Sequence, residues 1–194
     1  MYPAQPELSP RDSALWRVGR NLQRFQFIEA QFKWLLPTAK LAGSLQQIES
    51  QFLENKRVAK KASLGTLTET YARQVLSPKQ DAEEPKVGSQ IQLSFSHSIE
   101  ATPEVLKQMR AELKRLTKER NQLVHSTFLA YDLESKEGCI ALCEYLDEQY
   151  ERARVLIERL RHQEKVRSLA ASALKQLHES GELERLLAEP SNDT

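Results

Sequence analysis

Apolar residues return at steps of three and four along most of this chain, and four of these runs begin at residues that cap helices. That pattern commits the chain to helices, because 3.6 residues per turn places such positions on one face. Ser9-Pro10-Arg11-Asp12 sets a hydroxyl at the cap, proline at the first helical position and a carboxylate in the first turn. Leu15, Val18, Leu22, Phe25, Ile28, Phe32 and Leu35 then mark the apolar face of a helix ending near Pro37. Ser44…Gln47 and Thr66…Glu69 repeat the capping-box pattern and predict helices over about 45–62 and 67–76. Thr102-Pro103-Glu104 opens a fourth helix, expected to reach about Asp132. A long fifth runs from about Lys136 toward Leu177, and Gly181 interrupts it before a short turn at Glu182–Leu187.

One stretch breaks the helical period. Between Ser77 and Ala101 come Ser77-Pro78, Pro85 and Gly88, followed by strict alternation through Ile91, Leu93, Phe95, His97 and Ile99. A period of two is a strand with one apolar face, here over 90–99. Its backbone groups need partners: a short segment near Val87, its own copy in a dimer, or the surface of the helices. His97 shares the apolar face and reads as a packed histidine.

Composition narrows the function classes. Of 194 residues, 40% are hydrophobic and 28% charged, which allows a sizeable folded core. The apolar runs fall far short of the ~20 residues that span a bilayer, so no membrane partner is expected. The opening residues carry neither a basic nor an apolar stretch of the signal-peptide kind, and two cysteines fit a reducing compartment, so a cytoplasmic location is expected. Six glycines and no GxGxxG or GxxxxGK[ST] speak against a phosphate-cradling loop. Basic and acidic residues nearly balance, 28 against 27, so distribution matters more than net charge.

The fourth helix carries the candidate chemistry. Leu106, Met109, Leu113, Leu116, Arg120 and Leu123 form one seam at steps of three and four, with Arg120 inside an apolar stripe. A guanidinium there must be paired or face a partner surface, so it is either a reactive group or a structural ion pair. On the other side Lys107, Arg110, Lys114, Lys118, Asn121 and His125 share a second stripe, either a polyanion-binding face or a solvated one. Arg120 and His125 lie ~140° apart on a straight helix, so they converge only if the helix bends or if two helices frame one cleft.

Arg120-Asn121-x-x-x-His125, set within Lys-Glu-Arg-Asn-Gln-Leu-Val-His-Ser-Thr-Phe at 118–128, resembles the R-x4-H signature of the HEPN family (higher eukaryotes and prokaryotes nucleotide-binding). The motif covers six residues, and the number of helices and its place ahead of a long last helix are similar over most of the chain. The resemblance implies a helical bundle, usually dimeric, and a metal-independent endoribonuclease of toxin or phage-defence type. Histidine suits proton transfer near neutrality, and arginine's planar fork suits a phosphorane. His125 would act as acid or base, Arg120 would stabilise the transition state and Asn121 would position, while Lys107, Arg110, Lys114 and Lys118 lead RNA in. The 2′-hydroxyl would attack, leaving a 2′,3′-cyclic phosphate and a 5′-hydroxyl, and DNA would not react. In relatives paired with nucleotidyltransferase antitoxins the signature continues as R-x4-H-x-Y. Here Thr127 occupies that position and Tyr131 lies one turn on, a departure from the pattern needed for nucleotidylation there.

Charge and cysteine placement complete the reading. Lys56, Arg57, Lys60 and Lys61 cluster on the second helix, and Arg152, Arg154, Arg159, Arg161, Lys165 and Arg167 on the last, while acids collect over 132–151. Such segregation builds a positive groove or simply solvated faces. Cys139, Cys143, Leu146, Tyr150, Ala153, Ile157 and Leu160 form a heptad seam, serving the bundle interior or a dimer contact. Packing explains the cysteines better than zinc, which would need two further ligands. Arg20-Asn21 starts a second such pair, but Phe25 stands where a histidine would be needed.

These observations predict an all-α, HEPN-like bundle over 9–180 with a short extended insertion at 77–101 and a long C-terminal helix, flanked by a flexible 1–8 and a short turn and tail at 181–194. The expected partners are RNA, a second copy of the chain and an antitoxin or defence protein, with no cofactor and no metal. The rival is a non-catalytic helical interaction module or nucleotide- or RNA-binding module.

Overall fold

A computed structural model describes residues 8–76, 93–182 and 185. Six α-helices make up most of it: α1 (Pro10–Leu35), α2 (Leu45–Lys61), α3 (Leu64–Gln74), α4 (Pro103–His125), α5 (Thr127–Ala130) and α6 (Lys136–Glu179). A 3-10 turn at Leu36–Thr38 follows α1, and two short strands, β1 (Lys40–Gly43) and β2 (Leu93–Ser96), pair antiparallel. The long helix α6 lies along α1, and α3 and α4 pack beside them around one core.

The helix starts follow the capping chemistry. Ser9 Oγ accepts from the Asp12 amide at 3.1 Å. Ser44 and Gln47 form the full reciprocal box, with the Gln47 amide donating to Ser44 Oγ at 3.4 Å and the Ser44 amide to Gln47 Oε1 at 2.8 Å. Thr102 caps α4 and Ser135 caps α6. The third start differs: Ser63, not Thr66, is the cap, and its hydroxyl accepts from the Thr66 amide at 3.3 Å. Gly181, at φ +72°, follows the end of α6 as the sequence predicts. The expected turn beyond it lies mostly outside the described residues.

The fourth helix ends seven residues earlier than expected. The Gln122 carbonyl accepts from the Ser126 amide at 2.9 Å, Ser126 Oγ at 3.2 Å and Thr127 Oγ1 at 3.1 Å. Three donors on one carbonyl close the helix at His125, and the chain restarts as α5. Local hydroxyl competition of this kind is a known helix terminator.

The strand forms over 93–96 and stops short of the predicted end at 99; residues 90–92 of the predicted span lie outside the described residues. Its partner is β1, with Lys40 opposite Ser96, Leu41 opposite Phe95, Ala42 opposite Ser94 and Gly43 opposite Leu93. Val87 lies outside the described residues. After β2 the chain stays extended on the helices, with His97 N donating to the Ala39 carbonyl and Ile99 N to the Val75 carbonyl, both at 2.9 Å. The other edge of β1 is filled by a side chain: Gln51 donates to the Ala42 carbonyl at 2.8 Å and accepts from the Ala42 amide at 3.3 Å. A side-chain amide thus serves where a third strand would. Gly43, at φ +130°, turns the chain from β1 into α2, and a Cβ there would lie 2.4 Å from Gln47 Oε1.

Two apolar seams shift by one position from their sequence pattern. On α1 the buried residues are Ala14, Val18, Asn21, Phe25, Ile28, Phe32 and Leu35, so Ala14 and Asn21 replace Leu15 and Leu22. On α6 they include Cys139, Leu142, Leu146, Gln149, Ala153, Ile157 and Leu160, so Leu142 and Gln149 displace Cys143 and Tyr150. Two amides thereby enter the core against each other. Asn21 Nδ2 donates to Gln149 Oε1 at 2.9 Å and to the Leu146 carbonyl at 2.7 Å, so their burial is compensated. This seam serves the bundle interior.

Candidate functional site

The residues singled out by sequence all sit on α4, which is unbroken from Pro103 to His125, with Arg120, Asn121 and His125 in its last two turns. Lys114, Lys118, Asn121 and His125 line one shallow, open depression of about 490 Å3, together with Thr117, Gln122 and Ser126. Helical spacing alone puts them there, since steps of four, three and four keep one face. Thr117, also in the lining, ties it to α3: its hydroxyl donates to the Leu113 carbonyl at 3.1 Å and meets Thr68 Oγ1 at 3.1 Å.

Arg120 is not in the apolar seam. The buried residues of α4 are Leu106, Leu113, Leu116, Glu119 and Leu123, so Glu119 occupies the place expected for Arg120. The Glu119 side chain is only 7% exposed, and it accepts from Arg115 at 3.0 Å and Arg152 at 2.9 Å. A buried carboxylate held by two guanidiniums through Oε1 is a paired charge, and the structural ion pair of this helix is therefore Glu119's. Glu119 Oε2 and Arg152 Nε are enclosed without a partner among the described residues. Arg120 is partly exposed, and its Nη1 donates to Asn121 Oδ1 at 3.1 Å. The arginine is thereby linked to the face that carries His125, although it does not line the depression itself.

The other basic residues divide. Lys107 is exposed and lies outside the depression. Arg110 is partly buried and donates from one guanidinium nitrogen to the Leu76 carbonyl just beyond α3, a bond that joins α4 to the end of α3. On α6 the basic cluster resolves mostly into internal contacts. Arg154 pairs with Glu151 at 2.8 Å and Glu158 at 2.7 Å, and Arg159 with Glu112 at 2.6 Å. Arg161 lies over Phe27, and Arg167 donates to the Leu35 carbonyl at the end of α1. On α2, Arg57 pairs with Glu54 at 2.7 Å. Two of the acids of 132–151 meet α1, Glu134 through Arg11 and Asp147 through Arg17 and Arg20. The α6 arginines therefore do not make a free positive groove, and the open cations beside the motif are Lys114 and Lys118.

No model of a known protein family matches this chain, and no curated protein or solved structure does either. What the site can do must be argued from its own groups.

Thr127 is buried and its hydroxyl is committed to the Gln122 carbonyl, so it caps α4. Tyr131 lies against Tyr145, ring centroids 5.9 Å apart. Burial raises the Tyr145 hydroxyl above its ordinary range, and the neighbouring Glu119 carboxylate adds to this. His97 is half-buried, its Nε2 enclosed without a partner among the described residues. Burial pushes its pKa down, and the nearby Arg167 charge pushes the same way; it is a partly packed histidine, as its sequence position suggested. Cys139 is buried and Cys143 partly so, both as free thiols. Among the described residues no three of His, Cys, Asp and Glu converge as a metal site would require. None of the helices among them is long and apolar enough to cross a membrane.

Sequence reasoning missed Glu119 as the buried charge. The Arg115-x-x-x-Glu119 spacing marks an i,i+4 pair, but that spacing carries no information on burial.

Proposed function

We propose that this chain is a HEPN-like, dimeric, metal-independent endoribonuclease of toxin or defence type. The observation that carries the reading is one open face of α4, where Lys114, Lys118, Asn121 and His125 line one depression and Arg120 is bonded to Asn121. The lysines attract the RNA backbone. Asn121 presents an amide to a phosphate oxygen and holds Arg120 toward the same side.

A two-fold pairing of α4 faces supplies what one chain lacks, an enclosed cleft with two imidazoles. His125 takes the 2′-hydroxyl proton, the 2′-oxygen bonds to phosphorus and the bond from phosphorus to the 5′-oxygen breaks. The partner subunit's His125 gives the leaving oxygen its proton. Charge builds on the phosphoryl oxygens during this exchange, and Arg120 stabilises it with its planar fork. The protein resides in the cytoplasm, where an antitoxin or defence partner restrains it.

The test is cleavage of a labelled RNA under single-turnover conditions with EDTA present, with product ends identified. The expected products carry 2′,3′-cyclic phosphates. His125→Ala should lower the rate by about 10²–10⁴, and Arg120→Lys by about 10²–10³ while RNA affinity holds. Sedimentation should give a dimer at micromolar concentration. RNA bound but uncut by the wild-type dimer would instead favour the binding-module reading, which the openness of the depression in a single chain supports.

A further inference from the structure

A second site lies on the opposite side of α4. The buried face of α6 is spent on α1, and α4 packs mainly on α3, so α4 and α6 touch only sparingly. Between them remains a cavity of about 300 Å3. Its walls are Leu113 and Leu116 from α4 and Val155 and Leu156 from α6, with Tyr71 and Leu76 behind them. Tyr71 presents its ring and not a titrating hydroxyl: burial raises its pKa to about 12, and the hydroxyl is paired with Gln163 at 2.9 Å. Close-packed interiors leave few voids larger than a water. An apolar cavity at the lower end of the ~300–1,000 Å3 range of ligand pockets has the size and lining of a binding site.

The charges around the cavity choose the ligand. Arg115, Arg152 and Arg159 line it, against Glu112 and Glu119. Both carboxylates are ion-paired, Glu112 with Arg159 at 2.6 Å and Glu119 with Arg115 and Arg152 through one oxygen, Oε1, while Glu119 Oε2 is enclosed without a partner among the described residues. Among the described residues Arg115 and Arg159 each donate from a single nitrogen, so the rest of each guanidinium fork is uncommitted. An excess of one positive charge beside apolar walls suits an amphiphile with an anionic head. Inorganic phosphate would leave the apolar walls unused, and a cavity of this size has no room for more than one short chain.

We propose that the slot between α4 and α6 binds a single-chain, amphiphilic monocarboxylate, with its apolar body among Leu113, Leu116, Val155 and Leu156 and its carboxylate at Arg115 and Arg159. The ligand is a free small molecule. The inference is independent of the ribonuclease reading, because its test measures binding alone.

The probe is anilinonaphthalene sulfonate, an aromatic body with an anionic head, titrated into the full-length protein and followed by fluorescence. Saturable binding at one site per chain is expected, with decanoate displacing the probe, decanol displacing it about tenfold less well and decylamine less well still. Val155→Trp, at a half-exposed position on the cavity wall, should fill the slot and abolish the signal while melting and circular dichroism stay unchanged. Arg115→Gln, which leaves Arg152 on Glu119, should weaken decanoate several-fold and leave decanol unaffected. Decylamine displacing as well as decanoate, or binding untouched by a folded Val155→Trp, would overturn the proposal, as would dye binding without saturation. If Val155→Trp does not fold, the headgroup series on the wild-type protein and Arg115→Gln decide.

Discussion

Arg20-Asn21 on α1 and Arg120-Asn121 on α4 are the same dipeptide, and in both the arginine donates to its neighbour's amide oxygen at 3.1 Å. Their surroundings are opposite. Asn21 is enclosed against α6, bonded to Gln149 and the Leu146 carbonyl. Arg20 pairs with Asp147 at 2.8 Å and lies 4.2 Å from the Tyr150 ring centroid. Asn121 is exposed and borders the open depression with His125. The local bond is common to both, so it cannot assign either pair a role. What lies across from each helix does that. The α1 pair is a structural joint to α6, while the α4 pair is left facing outward with its donors available.

The comparison breaks most readily at the two asparagines. Asn21→Ala should cost about 2–3 kcal/mol of stability, because it removes two buried bonds and leaves Gln149 Oε1 without its donor. Asn121→Ala should change stability by no more than about 0.5 kcal/mol. Chemical denaturation of both variants measures the difference, and equal losses would erase the distinction drawn between the two pairs.

The arginines should separate less widely. Arg20→Ala loses the Asp147 contact and the packing on Tyr150, for an expected cost of about 1–2 kcal/mol. Arg120→Ala should fall within about 0.5 kcal/mol of wild type. A thermal melt of Arg120→Ala showing a loss as large as that of Arg20→Ala would give Arg120 the structural part assigned here to Glu119.

The smallest effect is a pH dependence confined to the α1–α6 joint. Partial burial raises the Asp147 carboxyl, but hydrogen bonds from Arg20 and Arg17 outweigh it and hold the pKa below its ordinary value. A pKa depressed on folding means stability that is present above the unfolded carboxylate's pKa and is lost as pH falls through the folded one. Asp147→Asn should therefore lower the melting temperature slightly at neutral pH, and the gap to wild type should close as the medium is acidified. A gap that widens in acid would show that this carboxylate does not hold the joint together.

The joint itself shows where sequence reading stops. Asn21 and Gln149 are polar residues beside better apolar candidates, Leu22 and Tyr150, and a periodic pattern selects the apolar ones. Their burial is made tolerable by the bond between the two amides and by Asn21's bond to the Leu146 carbonyl, and both bonds join residues on different helices. The same applies to Glu119 and Arg120. They are adjacent on the helix, so a turn of ~100° decides which is buried, and Arg152, far along the chain on α6, tips that choice toward Glu119. The candidate motif was more legible. Lys114, Lys118, Asn121 and His125 share a face through helical spacing alone, and helix formation there is local. Arg110 shares that face too, yet the end of α3 claims it.

The sequence by itself determined the order of the five longer helices and the starts of four of them, because caps and turn residues act within about four residues of backbone. It also determined that one segment would be extended, since a period of two has no helical equivalent. Tertiary structure decided the partner of that segment. Lys40–Gly43 is too short and too mixed to announce a strand, and it becomes one only when β2 and the Gln51 amide satisfy its two edges. It likewise decided which side of each helix is interior, through contacts whose partners lie on other helices. Capping bonds form between near neighbours in the chain whatever the rest of the protein does, whereas burial exists only once the helices have met.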